Sequence, residues 1–292
     1  MKDSIEPITL TAADGYRLGA TRFAPPGGAH ARLVVAGATA VPQGFYRRFA
    51  IAAAARGFDT LTLDYRGIGR SAPPRLRGFR MDYLDWARLD LAAAVESMRD
   101  PQRPLCLVGH CYGGHAFGLL PNHDAVAGFY TFATGAGWHG WMPRFERWRV
   151  QFMWHVIGPL ATRALGYLPM RRLGMGEDLP LDAFRQWRHW CRFPRYFFDD
   201  PACPELRELF ARVRTPIVAV NALDDHWAPP ASRDAFMAGY RFAPWTAVTL
   251  DPRTYGPIGH MGYFRERSAA LWHGAMDWVE SLPARQPLLT SS

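Results

Sequence analysis

A chain of 292 residues that is 49% hydrophobic and 14% aromatic has the apolar bulk for a sizeable core, which excludes a disordered chain, and no apolar run reaches the roughly 20 residues that span a bilayer. The formal charge of +8 is almost all arginine, with Lys2 the single lysine, and it is spread without a basic run. That distribution argues against a nucleic-acid partner and leaves a basic rim suited to an anionic substrate or an acidic acyl carrier.

Residues 4–23 read as two strands, Ile5–Thr11 and Arg17–Phe23, joined at the turn signal Asp14-Gly15. A buried strand is expected at Arg32–Ala36, a helix with an alanine-rich face over Gln43–Arg56, and a further strand at Phe58–Leu63. The loop that follows, Asp64-Tyr65-Arg66-Gly67-Ile68-Gly69-Arg70-Ser71, is broken by glycines that do not open a helix. It therefore reads as a tight connection rather than a phosphate cradle. Asp82–Arg99 has the period of an amphipathic helix, with Trp86, Leu89, Ala93 and Val95 among its apolar positions.

The segment Pro104–Leu119, PLCLVGHCYGGHAFGL, is the centre of the chain. Its short apolar run Leu105–Val108 has the length of a buried parallel strand and breaks into Gly109-His110-Cys111-Tyr112-Gly113-Gly114 before an apolar helical stretch. Small residues two before and two after Cys111 let a strand and a helix meet at a very sharp turn. The side chain at its apex is forced into the open beside the N–H groups of a helix start.

A strand near Val126–Ala133 comes next. Residues 135–213 then break the alternation of strand and helix with a tryptophan- and arginine-rich, helical segment in which Phe145, Trp148 and Phe152 share one face and Trp187 and Trp190 another. A strand at Pro216–Asn221, a helix at Pro230–Tyr240, a strand at Trp245–Leu250 and a closing helix at Glu266–Ser281 resume the alternation, and the polar tail from Pro283 is expected to be loose. Strands alternating with helices demand a mostly parallel sheet covered on both faces.

Cys106, Cys111, Cys191 and Cys203 form no C-x-x-C pair and no zinc-ligand spacing, so neither a disulfide framework nor a metal site is expected. The opening MKDSIEPITL lacks the layout of a signal peptide, so the expectation is a cytoplasmic protein without a membrane partner.

Gly109-His110-Cys111-Tyr112-Gly113 matches the pattern of a nucleophile elbow, G-x-nucleophile-x-G, and through it the chain resembles the α/β-hydrolase superfamily over residues 4–282. It departs from the common form in carrying cysteine where most members have serine; dienelactone hydrolases and polyhydroxyalkanoate synthases are members that use cysteine. The wording of Ala38-Thr39, Asp64–Gly69 and Gly259-His260 is similar to the serine-aminopeptidase-like or monoglyceride-lipase-like branch.

The resemblance implies an eight-stranded, mostly parallel sheet with helices on both faces. Residues 1–134 and 214–292 would form the core, and 135–213 a helical cap inserted in it. It also implies a triad in the order nucleophile, acid, histidine. Asp225, in the loop after the Pro216–Asn221 strand, takes the acid position, with Asp224 as the alternative; His260 takes the histidine position before the last helix. The oxyanion donors would be the amides of Tyr112 and of Ala38, with Thr39 next in line. The family commonly has histidine-glycine where Ala36-Gly37 stand here.

Thr39, Trp138, Trp141 and Trp227 are expected at the substrate, with the cap aromatics lining an apolar acyl or ring pocket. Cysteine at the elbow leads through a thioester intermediate, and a serine exchanged for cysteine by design would read the same. Three functions follow: hydrolysis of an acyl ester or thioester, transfer of the acyl group to a second substrate, or non-catalytic binding of a small molecule on the same fold. No cofactor is expected, and the acyl group, its acceptor and the oligomeric state are left open.

Overall fold

The computed structural model describes residues 4–283, so the tail after Pro283 lies outside the described residues. In chain order the elements are β1 (Ser4–Thr11), β2 (Arg17–Ala24), β3 (Ala31–Ala36), α1 (Arg47–Ala55), β4 (Phe58–Leu63), α2 (Ala92–Ser97), β5 (Leu105–His110), α3 (Tyr112–Ala116) and β6 (Val126–Phe132). The intervening segment holds α4 (Arg144–Phe152), α5 (Gly158–Leu165), the two-residue strands β7 (Tyr167–Leu168) and β8 (Leu179–Pro180), α6 (Leu181–Trp190) and α7 (Glu205–Arg212). The chain closes with β9 (Ile217–Ala222), α8 (Pro230–Met237), β10 (Trp245–Leu250), α9 (Pro252–Tyr255) and α10 (Ala269–Ser281).

One eight-stranded sheet runs β1-β2-β4-β3-β5-β6-β9-β10. The β1–β2 and β2–β4 pairs are antiparallel and the remaining five are parallel. All six residues of β4, β5 and β9 are buried, as inner strands of a sheet covered on both faces are. The edge strands β1 and β10 instead alternate with exposed positions.

Alternation along β5 divides the core. Leu105 and Leu107 join Trp86, Tyr112 and Phe117 on one face, whereas Cys106 and Val108 join Tyr46, Phe49 and Trp272 on the other. The expected helix over Asp82–Arg99 is capped where it begins. Asp82 and Asp85 hold a local turn, with Leu84 N–H on Asp82 Oδ1 and Asp82 N–H on Asp85 Oδ2, both at 2.8 Å. These reciprocal bonds cap the first turn, after which the helix runs as a wide π turn at Trp86–Leu91 and tightens into α2.

The Asp64–Ser71 loop is knitted to the core. Asp64 accepts from the backbone and side chain of Gln43 at 2.7 Å each, and Arg66 meets Asp90 and Asp14. A Cβ on Gly69 would lie 2.6 Å from Asp64 Oδ1, so this loop has no room for a ligand between its glycines and the core.

Residues 144–165 form one helical run in two α segments joined by a π turn at Met153–Ile157. Their inner face is continuous with the core: Trp154 packs edge-on against Trp187, and Trp190 stacks on Tyr83. The expectation that Phe145, Trp148 and Phe152 line an acyl pocket is not met. They are 74%, 76% and 55% exposed, on the outer face of the run. A helical period identifies a shared face, and here the inward face belongs to Val150, Met153 and Trp154 instead.

Candidate active site

The turn between β5 and α3 sets the site. Cys111 has φ 51° and ψ −107°, a left-handed conformation that a side chain adopts only where the surroundings impose it. Its N–H donates to Phe132 O at 3.0 Å, across to the neighbouring strand. Close approach explains the glycines. A Cβ on Gly113 would sit 1.9 Å from Ala36 O, and one on Gly114 would sit 1.7 Å from Thr134 Oγ1. A Cβ on Gly109 would lie 2.9 Å from the carbonyl carbon of Gly113.

His260 reaches this apex from the loop after β10. Its Nδ1 lies 3.0 Å and 3.1 Å from the two carboxylate oxygens of Asp225, and Cys111 stands near enough to act on the charge of the same ring. Burial pulls the His260 imidazolium down, but the charges and hydrogen bonds of Asp225 and Cys111 outweigh it and hold its pKa well above the ordinary value. Burial raises Asp225, and here too partners win: His260 and the N–H groups of Ala228 and Trp227 keep its carboxyl below the usual range. Those two amides donate to Asp225 Oδ1 at 2.9 and 3.0 Å, and Tyr263 Oη donates to Oδ2 at 3.2 Å.

Asp224, the alternative acid, points elsewhere. Its Oδ2 accepts the Ile258 N–H at 2.8 Å and so anchors the His260 loop from beneath. Neighbouring residues thus divide the work, one on the imidazole and one on the backbone that carries it.

A second histidine is built into the same place. His110, fully buried at the end of β5, approaches the His260 backbone carbonyl with Nε2 at 2.9 Å and Tyr46 Oη with Nδ1 at 2.9 Å. A carbonyl only accepts, so Nε2 carries the proton and Nδ1 must accept from the tyrosine. Tyr46 Oη, its proton committed, accepts the Ala38 N–H at 2.7 Å. The result is a directed chain, Ala38 N–H to Tyr46 O–H to His110 to His260 C=O. Burial, followed by the charge of His260, pushes the His110 pKa down to about 3, which keeps that ring neutral.

This chain corrects one expectation. The Ala38 amide is spent on Tyr46 and does not point a free donor at the elbow. Thr39 is the next N–H along the loop and has no hydrogen-bond partner among the described residues, while its Oγ1 lies 2.7 Å from Tyr83 Oη. Tyr112, at the first position of α3, has no partner for its N–H within the helix, and its ring is locked in a cluster with Tyr65, Tyr83 and Trp86.

Of the three tryptophans expected at the substrate, Trp227 is brought beside His260. Its ring lies 6.1 Å from that of His260, and its Nε1 donates to Glu146 Oε1 at 2.8 Å. Trp138 and Trp141 instead pack edge-on against each other at 5.6 Å, with Trp141 Nε1 on Pro194 O, and neither ring contacts His260. Sequence reasoning passed over Tyr46, His110 and Tyr263. Strand alternation held a signal for His110, since it shares the face of Cys106 and Val108, the side on which Tyr46 and the His260 loop lie. Among the described residues no three His, Cys, Asp or Glu side chains gather as a metal-binding set.

A family model described as "Alpha/beta hydrolase family" matches residues 33–280. No curated protein matches the chain. Among solved structures it is similar to a soluble variant of monoglyceride lipase from Saccharomyces cerevisiae in complex with a substrate analog (TM-score 0.68, 12% identity, covering 98% of this chain and 97% of that one). It is also similar to DcsB in complex with its substrate analogue (TM-score 0.66, 16% identity, 97% and 100%) and to a thioesterase domain from the curacin biosynthetic pathway (TM-score 0.59, 13% identity, 94% and 100%). At these identities the likeness speaks for the fold alone.

Proposed function

We propose, from the premise that the chain belongs to the alpha/beta hydrolase family, that it hydrolyses an acyl ester or thioester through a covalent acyl intermediate on Cys111. The observation that carries this reading is the convergence of three distant side chains: His260 is bonded to Asp225 through Nδ1, and Cys111 bears on the charge of the same ring. Cys111 passes its thiol proton to His260 Nε2 and Sγ attacks the carbonyl carbon; the S–H bond breaks, a C–S bond forms, and the oxygen takes up negative charge. The N–H groups of Tyr112 and Thr39 are the donors for that oxygen. The tetrahedral species collapses, the bond to the alcohol or thiol breaks, and the leaving group takes the proton held on His260 Nε2. Water then attacks the thioester, gives its proton to His260, and the C–S bond breaks to release the acid.

The carboxylate of Asp225 holds the imidazole in one tautomer and stabilises its charged form throughout. A thioester intermediate is also open to amines, thiols and alcohols, so transfer to such an acceptor is the second reading, and the cysteine is what favours it. Trp227 flanks the triad and is the residue proposed to contact the acyl group. A small-molecule acyl substrate is the proposed partner.

An activated aryl ester tests the reading. The expected result is a stoichiometric burst of aryl alcohol, abolished by iodoacetamide, and lowered by about four orders of magnitude or more in Cys111→Ala with the fold unchanged. Saturable binding of the ester without acylation would instead mark a non-catalytic binder.

A further inference from the structure

The helical run of residues 144–165 is apolar on two faces. Inward, Val150, Met153, Trp154 and Gly158 are buried against the core. Outward, Phe145, Trp148, Phe152, Val156 and Leu160 are all exposed, Leu160 to 65%. At roughly 100° per residue these five fall on an arc of about 120°, as wide as the stripe that a globular helix normally turns to its core. The steps of four between Trp148, Phe152, Val156 and Leu160 stay aligned because the π turn at Met153–Ile157 winds less per residue than an α turn.

The charges on this run are one-sided. Arg144, Arg147, Arg149 and Arg163 are exposed; the single acid, Glu146, is buried, accepts from Trp227 with Oε1 and pairs with Arg149 through Oε2 at 3.0 Å, which leaves three arginines in excess. Arg149 and Arg163 fall within the apolar arc itself. Among the described residues no helix is long and apolar enough to cross a membrane, so this is a surface feature.

We propose that the outer face of residues 144–163 docks on an anionic lipid surface, the aromatic and aliphatic side chains entering the headgroup boundary and the arginines meeting lipid phosphates. Charge selects this occupant over a second copy of the chain. In a two-fold interface the same patch faces itself and would set these arginines against one another. A polar, acidic protein surface would satisfy the arginines and leave five large apolar side chains uncovered. The proposal reverses the expectation of no membrane partner, and it stands independently of the acyl chemistry. The inner face of the same run reaches the triad through Glu146 and Trp227, so docking would hold the cap side of the site at the bilayer.

Co-sedimentation of the full chain with vesicles of phosphatidylcholine containing about one third phosphatidylglycerol tests it. The chain is expected to pellet with these vesicles, to do so progressively less as salt rises, and to stay in solution with pure phosphatidylcholine. Trp148→Ser combined with Leu160→Ser should weaken partitioning at least about tenfold, and Arg144→Gln and Arg163→Gln about fivefold each. Melting temperature and turnover of a soluble aryl ester should be unchanged in all three variants. The Cys111→Ala protein should bind vesicles as the parent does, which separates this proposal from the catalytic one. Absence of binding to the anionic vesicles, or binding indifferent to Trp148→Ser/Leu160→Ser, would overturn the proposal. So would a dimer by light scattering that this double variant dissociates, which would assign the face to a second copy.

Discussion

The rim of the sheet and the segment lying over it obey different rules. At the rim, in the loops around residues 36–40, 109–114, 222–228 and 256–264, directional bonds fix the polar groups: Asp224 Oδ2 to a backbone amide, Asp225 to His260, His110 to Tyr46 and to the His260 carbonyl. A single misplaced atom there leaves a buried donor or acceptor stranded. Over it, residues 144–190 rely on aromatic bulk, with Trp154, Trp187 and Trp190 turned in and Phe145, Trp148 and Phe152 turned out. Directional bonds specify the first region residue by residue; area specifies the second, and area tolerates exchange.

The largest break in that contrast should come from Asp225→Asn, which is expected to lower kcat/KM by about two to four orders of magnitude while leaving the fold intact. It should also change the pH dependence of stability. His260 has a raised folded-state pKa, so its contribution is complete below the unfolded value of about 6.5 and is lost as pH climbs through the folded one. Asp225 has a depressed pKa, so its contribution is present above the unfolded carboxylate value and is lost as pH falls. Asp225→Asn removes both, and denaturant unfolding from acid to alkaline pH should trace a flatter curve than the parent's.

Next in size, Trp187→Ala should cost about 3–5 kcal/mol because it empties an almost fully buried indole site, whereas Trp148→Ser should stay within about 0.5 kcal/mol. Equal losses at the two positions in thermal melts would erase the distinction between inward and outward faces. The smaller rim effect is Tyr46→Phe, which strands the Ala38 N–H and His110 Nδ1 and should cost about 1–3 kcal/mol. Its signature beyond stability is a fall in kcat at unchanged KM, since the chain it cuts ends on the backbone of His260. A purely structural role would leave kcat per folded molecule at the parent value.

Much of the architecture was legible because the elements announce themselves locally. The Asp14-Gly15 turn, the unbroken apolar run of β5 and the glycines around Cys111 each leave a mark within a few residues, and strands β4 and β10 begin and end where their composition changes. The wide π turn at Trp86–Leu91 was not legible, because a periodicity reading at the α-helical step does not distinguish it from an α turn. The direction of the 144–165 run was hidden for a different reason. With large apolar residues on both faces, its period has two solutions, and only the packing of Trp154 on Trp187 chooses between them. Ala38 held the expected position in the loop; what took its amide away was a tyrosine eight residues further on.

The stitch between residues 176–177 and the loop after β3 has a mechanical consequence. Glu177 N–H donates to Ala40 O at 2.7 Å, and Gly176 lies so near that a Cβ on it would come within 2.4 Å of the same oxygen. Ala40 is itself held at a left-handed φ of 60°, one residue past Thr39. Moving residues 176–177 would therefore tug directly on the loop after β3, so the position of this segment and the placing of the Thr39 N–H are geared together rather than adjusted separately.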